Sequence, residues 1–153
     1  MQTANRVTVG MVVAAFAAQH SDFSGSWQFS PEKSKNAGMM SQMMMMQSIK
    51  QSATALDVTL HTTFQGRDDD SKTHYDLTGK PATNESPMGG PAETVTKWQA
   101  DKLVTIWTSE SAVAGGLKVV RTETRSLSSD GKTMTVESVR GSNPALVMVF
   151  EKK

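Results

Sequence analysis

From residue 25 onward, apolar and polar side chains alternate with a period of two, in short runs separated by clusters of Gly, Pro, Asn and Asp. That period puts successive side chains on opposite faces of a strand, and no run here carries a convincing helical recurrence. The clearest is DVTLHTTF, where Val58, Leu60, Thr62 and Phe64 share one face and Asp57, Thr59, His61 and Thr63 the other. GSWQF sets Trp27 and Phe29 on one side and stops at Pro31, and MQSIKQS predicts a strand over about 45–52. QGRDDD is expected to turn the chain, after which SKTHYDL aligns Thr73, Tyr75 and Leu77. TGKPATNESPMGGPA reads as a long loop with room for a short edge strand. ETVTKWQADKLVTIWTSESA predicts a hairpin turning at Gln99-Ala100-Asp101-Lys102. A second hairpin joins LKVVRTETRSL to KTMTVESVR through Asp130-Gly131, and PALVMVFEKK adds a strand with Leu146, Met148 and Phe150 on one face.

The pattern therefore predicts an all-β fold of about eight or nine strands, crowded with β-branched residues. Short antiparallel strands in a row have edges to hide. Joined by short hairpins they close as an up-and-down β-barrel, which removes the edges; a two-sheet sandwich is the alternative.

Composition narrows the class. A chain of 153 residues, 37% hydrophobic and 20% charged, suits one globular domain. The formal charge is +1 and no Lys/Arg block occurs, so nucleic acid is not an expected partner. There are no cysteines, which removes disulfides, thiol nucleophiles and thiolate zinc sites. The first residues, MQTANRVTVGMVVAAFAAQHS, combine a polar start carrying Arg6 with an apolar run from Val7 to Ala17 that ends in small residues. That is the layout of a cleavable signal peptide over 1–17, and the run is about half of the ~20 apolar residues a membrane anchor needs. The expectation is a secreted or periplasmic protein with no stable membrane insertion after cleavage.

FSGSWQFSPEKSK, Lys97-Trp98 followed by Asp101-Lys102-Leu103, SSDGKTMTV and MVFEK occur in this order along the chain. Their order and spacing resemble small exported bacterial lipocalin-like proteins, of the calycin superfamily, over most of the chain from residue 23 onward. The resemblance implies a lipocalin-like barrel over 23–153 that holds a small apolar molecule. It also implies that Trp27 plugs one end, covered by a late arginine, for which Arg140 is the candidate. In this chain QADK stands where a Gly-containing turn is usual, and AGMMSQMMMMQ where a Pro/Gly-containing connection is usual.

The functional expectation is an exported binding protein, not an enzyme, with a small hydrophobic or amphipathic ligand inside the barrel. The alternative is an envelope interaction or structural protein with a fully packed barrel and no ligand. Inward-facing residues nominated for ligand contact are Val58, Leu60, Phe64, Tyr75, Trp98, Trp107, Met134 and Met148, with Val136 and Phe150 beside them. LKVVRTETRSL leaves two orientations open. If Arg121, Glu123 and Arg125 point inward, buried guanidinium groups need partners and a ligand carboxylate supplies one; if they point outward they form a solvated face. The methionines of MMSQMMMM lack an accompanying His or Cys and read as a soft lid over the barrel mouth rather than a metal site. RDDD reads as solubilising turn residues, and His61 and His74 face outward without a placed third ligand, so neither metal nor cofactor is expected. No acid–base or nucleophile constellation occurs.

Overall fold

The fold is described from a computed structural model in which residues 20–87, 89–111, 113 and 115–153 are placed. The leader expected over residues 1–17 lies outside these described residues. Ten strands form one antiparallel sheet: β1 (Gly25–Phe29), β2 (Met44–Gln51), β3 (Ala55–Phe64), β4 (Arg67–Asp76), β5 (Ala82–Glu85), β6 (Pro91–Gln99), β7 (Lys102–Glu110), β8 (Lys118–Leu127), β9 (Thr133–Arg140) and β10 (Leu146–Lys152). Their order is β4-β3-β2-β1-β10-β9-β8-β7-β6-β5. Pairing of β1 with both β2 and β10 wraps this meander into a nearly closed barrel. The strand count exceeds eight or nine because the Gly/Pro-rich stretch does contain an edge strand, β5.

One turn is shorter than the stretch QGRDDD suggests. The β3–β4 hairpin turns on Gln65-Gly66 alone, with φ of 49° and 73°, and Phe64 pairs directly with Arg67. Positive φ at both turn positions matches the twist of the flanking strands, so the chain reverses there and Arg67, Asp68, Asp69 and Asp70 belong to β4 instead of a turn. Their charges sit on exposed strand that would otherwise offer a free edge. At the β6–β7 hairpin, Gln99 pairs with Lys102 and Ala100 takes a φ of 55°, a conformation glycine would adopt without strain.

The barrel has one plugged end. Trp27 is fully buried and its indole N–H donates to the Phe23 carbonyl at 2.9 Å. Phe23, Leu56, Met134 and Phe150 close around it, each with no exposure. The cation over the indole is not Arg140: Lys152 Nζ lies 5.5 Å from the ring centroid, while Arg140 is exposed at the far end of β9, opposite Arg121. Gly25 explains the Gly-x-Trp spacing. Its φ is 126°, a conformation that favours glycine, and a Cβ there would crowd the end of the Lys152 side chain, with Cε at 3.2 Å.

The opposite end is where the β1–β2 connection runs, through short 3-10 turns at Pro31–Lys33 and Gly38–Gln42. Met40 and Met43, three apart, pack on the core, while Met39 and Met44 stay largely exposed. In β2 the methionines alternate as strand residues must, Met45 inward and buried, Met44 and Met46 outward.

The seam between β4 and β5 has no backbone ladder. One side chain replaces a rung. Asn84 Oδ1 accepts from the His74 backbone N–H at 2.9 Å, and Asn84 Nδ2 donates to the His74 carbonyl at 2.9 Å and to Thr94 Oγ1 at 2.8 Å. A primary amide has both the acceptor and the donors that a missing strand would present, which is why an asparagine can bridge the gap.

Candidate functional site

Exposure of the inward-facing residues changes along the barrel. On β3, Leu56 and Val58 are buried, whereas Leu60, Thr62 and Phe64 are half-buried. β10 repeats this, from Phe150 to Met148 and Leu146, and β8 from Arg125 and Glu123 to Arg121 and Val119. All three runs lead away from Trp27 toward the end bearing the methionine connection. The inward-facing side chains are therefore more exposed toward that end, which is the open half of the barrel, and sealed toward Trp27, which is its packed base.

A polar cluster lies where the open half meets the base. Tyr75 from β4 donates its hydroxyl to Glu123 Oε1 across the barrel at 2.9 Å. Arg125 Nη2 lies 3.7 Å from the same oxygen, and its Nη1 donates to Gln47 Oε1 of β2 at 2.9 Å and sits 3.2 Å from Met134 Sδ. Arg121 Nη1 makes longer contacts, 3.4 Å to Glu123 Oε2 and 3.2 Å to Ser138 Oγ. Its guanidinium stacks over Trp107 at 4.5 Å, and Arg125 faces the Tyr75 ring at 5.8 Å. Burial raises the Tyr75 pKa first, and the nearby Glu123 carboxylate raises it further, so the phenol stays protonated and remains a donor.

The cluster is short of one anion. Two guanidinium groups face the single carboxylate of Glu123. Among the described residues, two buried side-chain nitrogens lack any hydrogen-bond partner: Arg121 Nη2 and Trp107 Nε1. Leaving such groups unpaired costs about 1–3 kcal/mol each, more for a charged one. Both donors belong to residues stacked on one another and both are closed off from solvent, so an oxyanion reaches them only when Arg121 shifts. Arg125 is nearly sealed, at 4% side-chain exposure, whereas Arg121 keeps 22% and holds its partners loosely. Arg121 is thus the side chain free to shift toward an incoming group.

The nominated residues divide by depth. Arg121 and Arg125 point inward, so the solvated-face orientation is excluded. Leu60, Phe64 and Met148 line the open half; Val58, Tyr75, Trp107 and Met134 belong to the buried half. Trp98 stands at the plugged end, stacked with His20 at 4.1 Å and against Phe23 at 6.2 Å. Val136 and Phe150 are buried core. Gln47 and Ser138 were not nominated, although Gln47 is a polar residue at inward parity between Met45 and Ile49, which is a legible signal; Ser138 lies between Val136 and Arg140 and gives none. His61 and His74 face outward as anticipated, but each meets an aspartate across the hairpin, Asp70 and Asp57, and not the other histidine. No group of three or more His or carboxylate side chains among the described residues is arranged to hold a metal.

Two surface cavities lie elsewhere. One of about 470 Å³ follows the β4–β5 seam between Lys72, Thr83, Asn84, Glu85, Gly90 and Pro91. The other, of about 290 Å³, lies at the plugged end beside His20, Gln51 and Trp98. The seam cavity is shallow and largely open to solvent, and so encloses little of a guest.

An antiparallel barrel wound as one meander around a partly polar interior has the lipocalin and fatty-acid-binding type of calycin fold. No known family profile matches the sequence, and no curated protein matches it. Solved structures do match in shape. Apo lipid binding protein 8 of Caenorhabditis elegans superposes with a TM-score of 0.66 at 13% identity, over 86% of this chain and 95% of that one. Fatty-acid-binding protein 1 of Echinococcus granulosus gives 0.64 at 11% identity, over 85% and 96%. The Schistosoma mansoni fatty acid binding protein in complex with arachidonic acid gives 0.64 at 14% identity, over 86% and 96%. At these identities the likeness establishes the fold.

Proposed function

We propose that this protein is an exported carrier that holds a small hydrophobic or amphipathic molecule in the open half of its barrel, with an anionic head on Arg121 and Trp107. The observation that carries the reading is the pair of unpartnered donors, Arg121 Nη2 and Trp107 Nε1, next to half-buried apolar walls. Burial of the tail supplies affinity at roughly 25 cal/mol per Å², and the oxyanion contact orients it. The structural neighbours named for fatty acids and lipids support the ligand class. Export rests on the leader pattern over residues 1–17. The role is binding and not catalysis, because Glu123, the one carboxylate in the cluster, is engaged by Tyr75 and both arginines.

Titration calorimetry with octanoate and 1-octanol tests the seat. Arg121→Gln is expected to weaken octanoate by about ten- to a hundredfold, the worth of a charge-assisted hydrogen bond, and to leave octanol within about twofold. Equal losses for acid and alcohol would remove the head group from Arg121.

A further inference from the structure

We infer that the exported form of this protein carries a copper(II) site at its N-terminus, made by Ala18, Gln19 and His20 and set against Trp98. The inference rests on the export reading above and goes beyond it, since the site is independent of the barrel interior.

Removal of the leader creates the site. Ala15-Phe16-Ala17 puts small residues where a signal peptidase reads them, so the bond that breaks is Ala17–Ala18. Water adds across it, leaving a carboxylate on Ala17 and a free amine on Ala18. The processed chain then begins Ala-Gln-His, with a histidine in third place. The amine nitrogen, the amide nitrogens of Gln19 and His20 and the imidazole Nδ1 of His20 are linked by short, fused chelate rings. All four nitrogens can therefore reach one ion in one plane. Planar coordination by nitrogen suits Cu(II), which also ranks highest among the divalent first-row metals for such donors. The two amide protons and the amine proton pass to solvent as the copper–nitrogen bonds form. Neither Gln19 nor His20 is proline, so both amides have the proton that must leave. In the precursor the Ala18 nitrogen is itself an amide, and the anchoring amine is absent.

The structure positions the side chain of this set. His20 is exposed, and its imidazole lies flat on Trp98, with ring centroids 4.1 Å apart and planes 6° from parallel. Stacking uses the face of the ring and leaves its edge, which bears both nitrogens, to other partners. A square-planar chelate extends the imidazole plane, so the stack and the metal are compatible. The residues that follow are pinned to the barrel. Gln51 Nε2 donates to the Ser21 carbonyl at 3.0 Å, and Gln51 Oε1 accepts from the Phe23 backbone N–H at 2.8 Å. His20 is thereby held at the plugged end, where it lines the hollow of about 290 Å³ with Asp22, Gln51 and Trp98. A paramagnetic ion in the plane of a ring stacked on Trp98 quenches that indole.

The experiment produces the full chain in a secreting host and measures the mass of the mature protein, which is expected to begin at Ala18. Titration with copper(II) sulfate in a glycine buffer, which strips copper from single histidines, should give a violet d–d band. The band and the loss of tryptophan emission should both saturate at one equivalent. His20→Gln should abolish the band. A glycine inserted between Ala17 and Ala18 should abolish it too, because His20 moves to fourth place while every side chain is kept. Trp98→Phe should keep the band and lose most of the quenching. A mature chain beginning at Ala18 with no violet band, or a band that survives the inserted glycine, would overturn the copper site and leave export intact. Secretion with a different first residue would overturn the site alone, and a retained leader would overturn the site and export together.

Discussion

Glu123→Ala is the sharpest test of how the interior is held. The side chain is 8% exposed and, among the described residues, is the only carboxylate contacting Arg125, at 3.7 Å, Arg121, at 3.4 Å, and the Tyr75 hydroxyl, at 2.9 Å. Its removal leaves two cations facing each other without a counterion and a buried phenol without its acceptor. Breaking a buried pair costs about 3–5 kcal/mol, and a deserted hydroxyl adds about 1–3. Arg121 reaches solvent and can relax, so the expected loss is about 3–5 kcal/mol, a large part of the ~5–15 kcal/mol that holds a domain of this size. Urea denaturation followed by tryptophan fluorescence measures it through the shift in midpoint at unchanged slope. Glu123→Leu combined with Arg125→Met should recover most of the loss, since replacing both partners of a buried pair with packed apolar groups is often neutral or better. A loss under about 1 kcal/mol for Glu123→Ala would show that the cluster is hydrated and that the base of the barrel is not closed.

Other consequences follow from the seam and the outer face. Asn84→Ala takes both hydrogen bonds from the His74 backbone, so amide exchange at His74 should accelerate by an order of magnitude or more at about 1–3 kcal/mol of lost stability. Unchanged exchange would mean the seam is closed by other contacts. His61 has a pKa raised above its ordinary value of 6.5, first by the hydrogen bond to Asp70 and then by the charges of Asp70 and Asp68. A raised folded-state value makes this contribution complete below pH 6.5 and lost as pH climbs through the folded value. His61→Gln should flatten stability measured across that interval, and a pH dependence identical to that of the unmodified protein would refute the coupling.

Most of the strands were legible because half-buried strands write their own period into the chain. Val58, Leu60 and Phe64, Trp98 and Trp107, Met134 and Met148 all point inward, as their alternation requires. The turn expected over QGRDDD was too long because residue type favours carboxylates in turns, whereas Gln65-Gly66 alone satisfies the positive φ that a tight hairpin needs. The cover of Trp27 was misassigned because a cation–π contact selects on distance, and Lys152 reaches the plugged end while Arg140 lies at the mouth. Gln47 was visible as a polar break in an apolar face, but its partner Arg125 on β8 was not, because strands far apart in sequence meet only across a closed barrel.

The sequence by itself determined which residues are strands and, through parity, which side chains share a face, since both follow from the local geometry of an extended chain. Whether the face carrying Arg121, Glu123 and Arg125 turned inward was decided by the tertiary structure. Burial of Arg125 is tolerable because Glu123 beside it on β8 is joined by Gln47 from β2 and Tyr75 from β4. Closure also decided where solvent stops, and therefore that the unpaired donors of Arg121 and Trp107 lie between a sealed base and an open mouth.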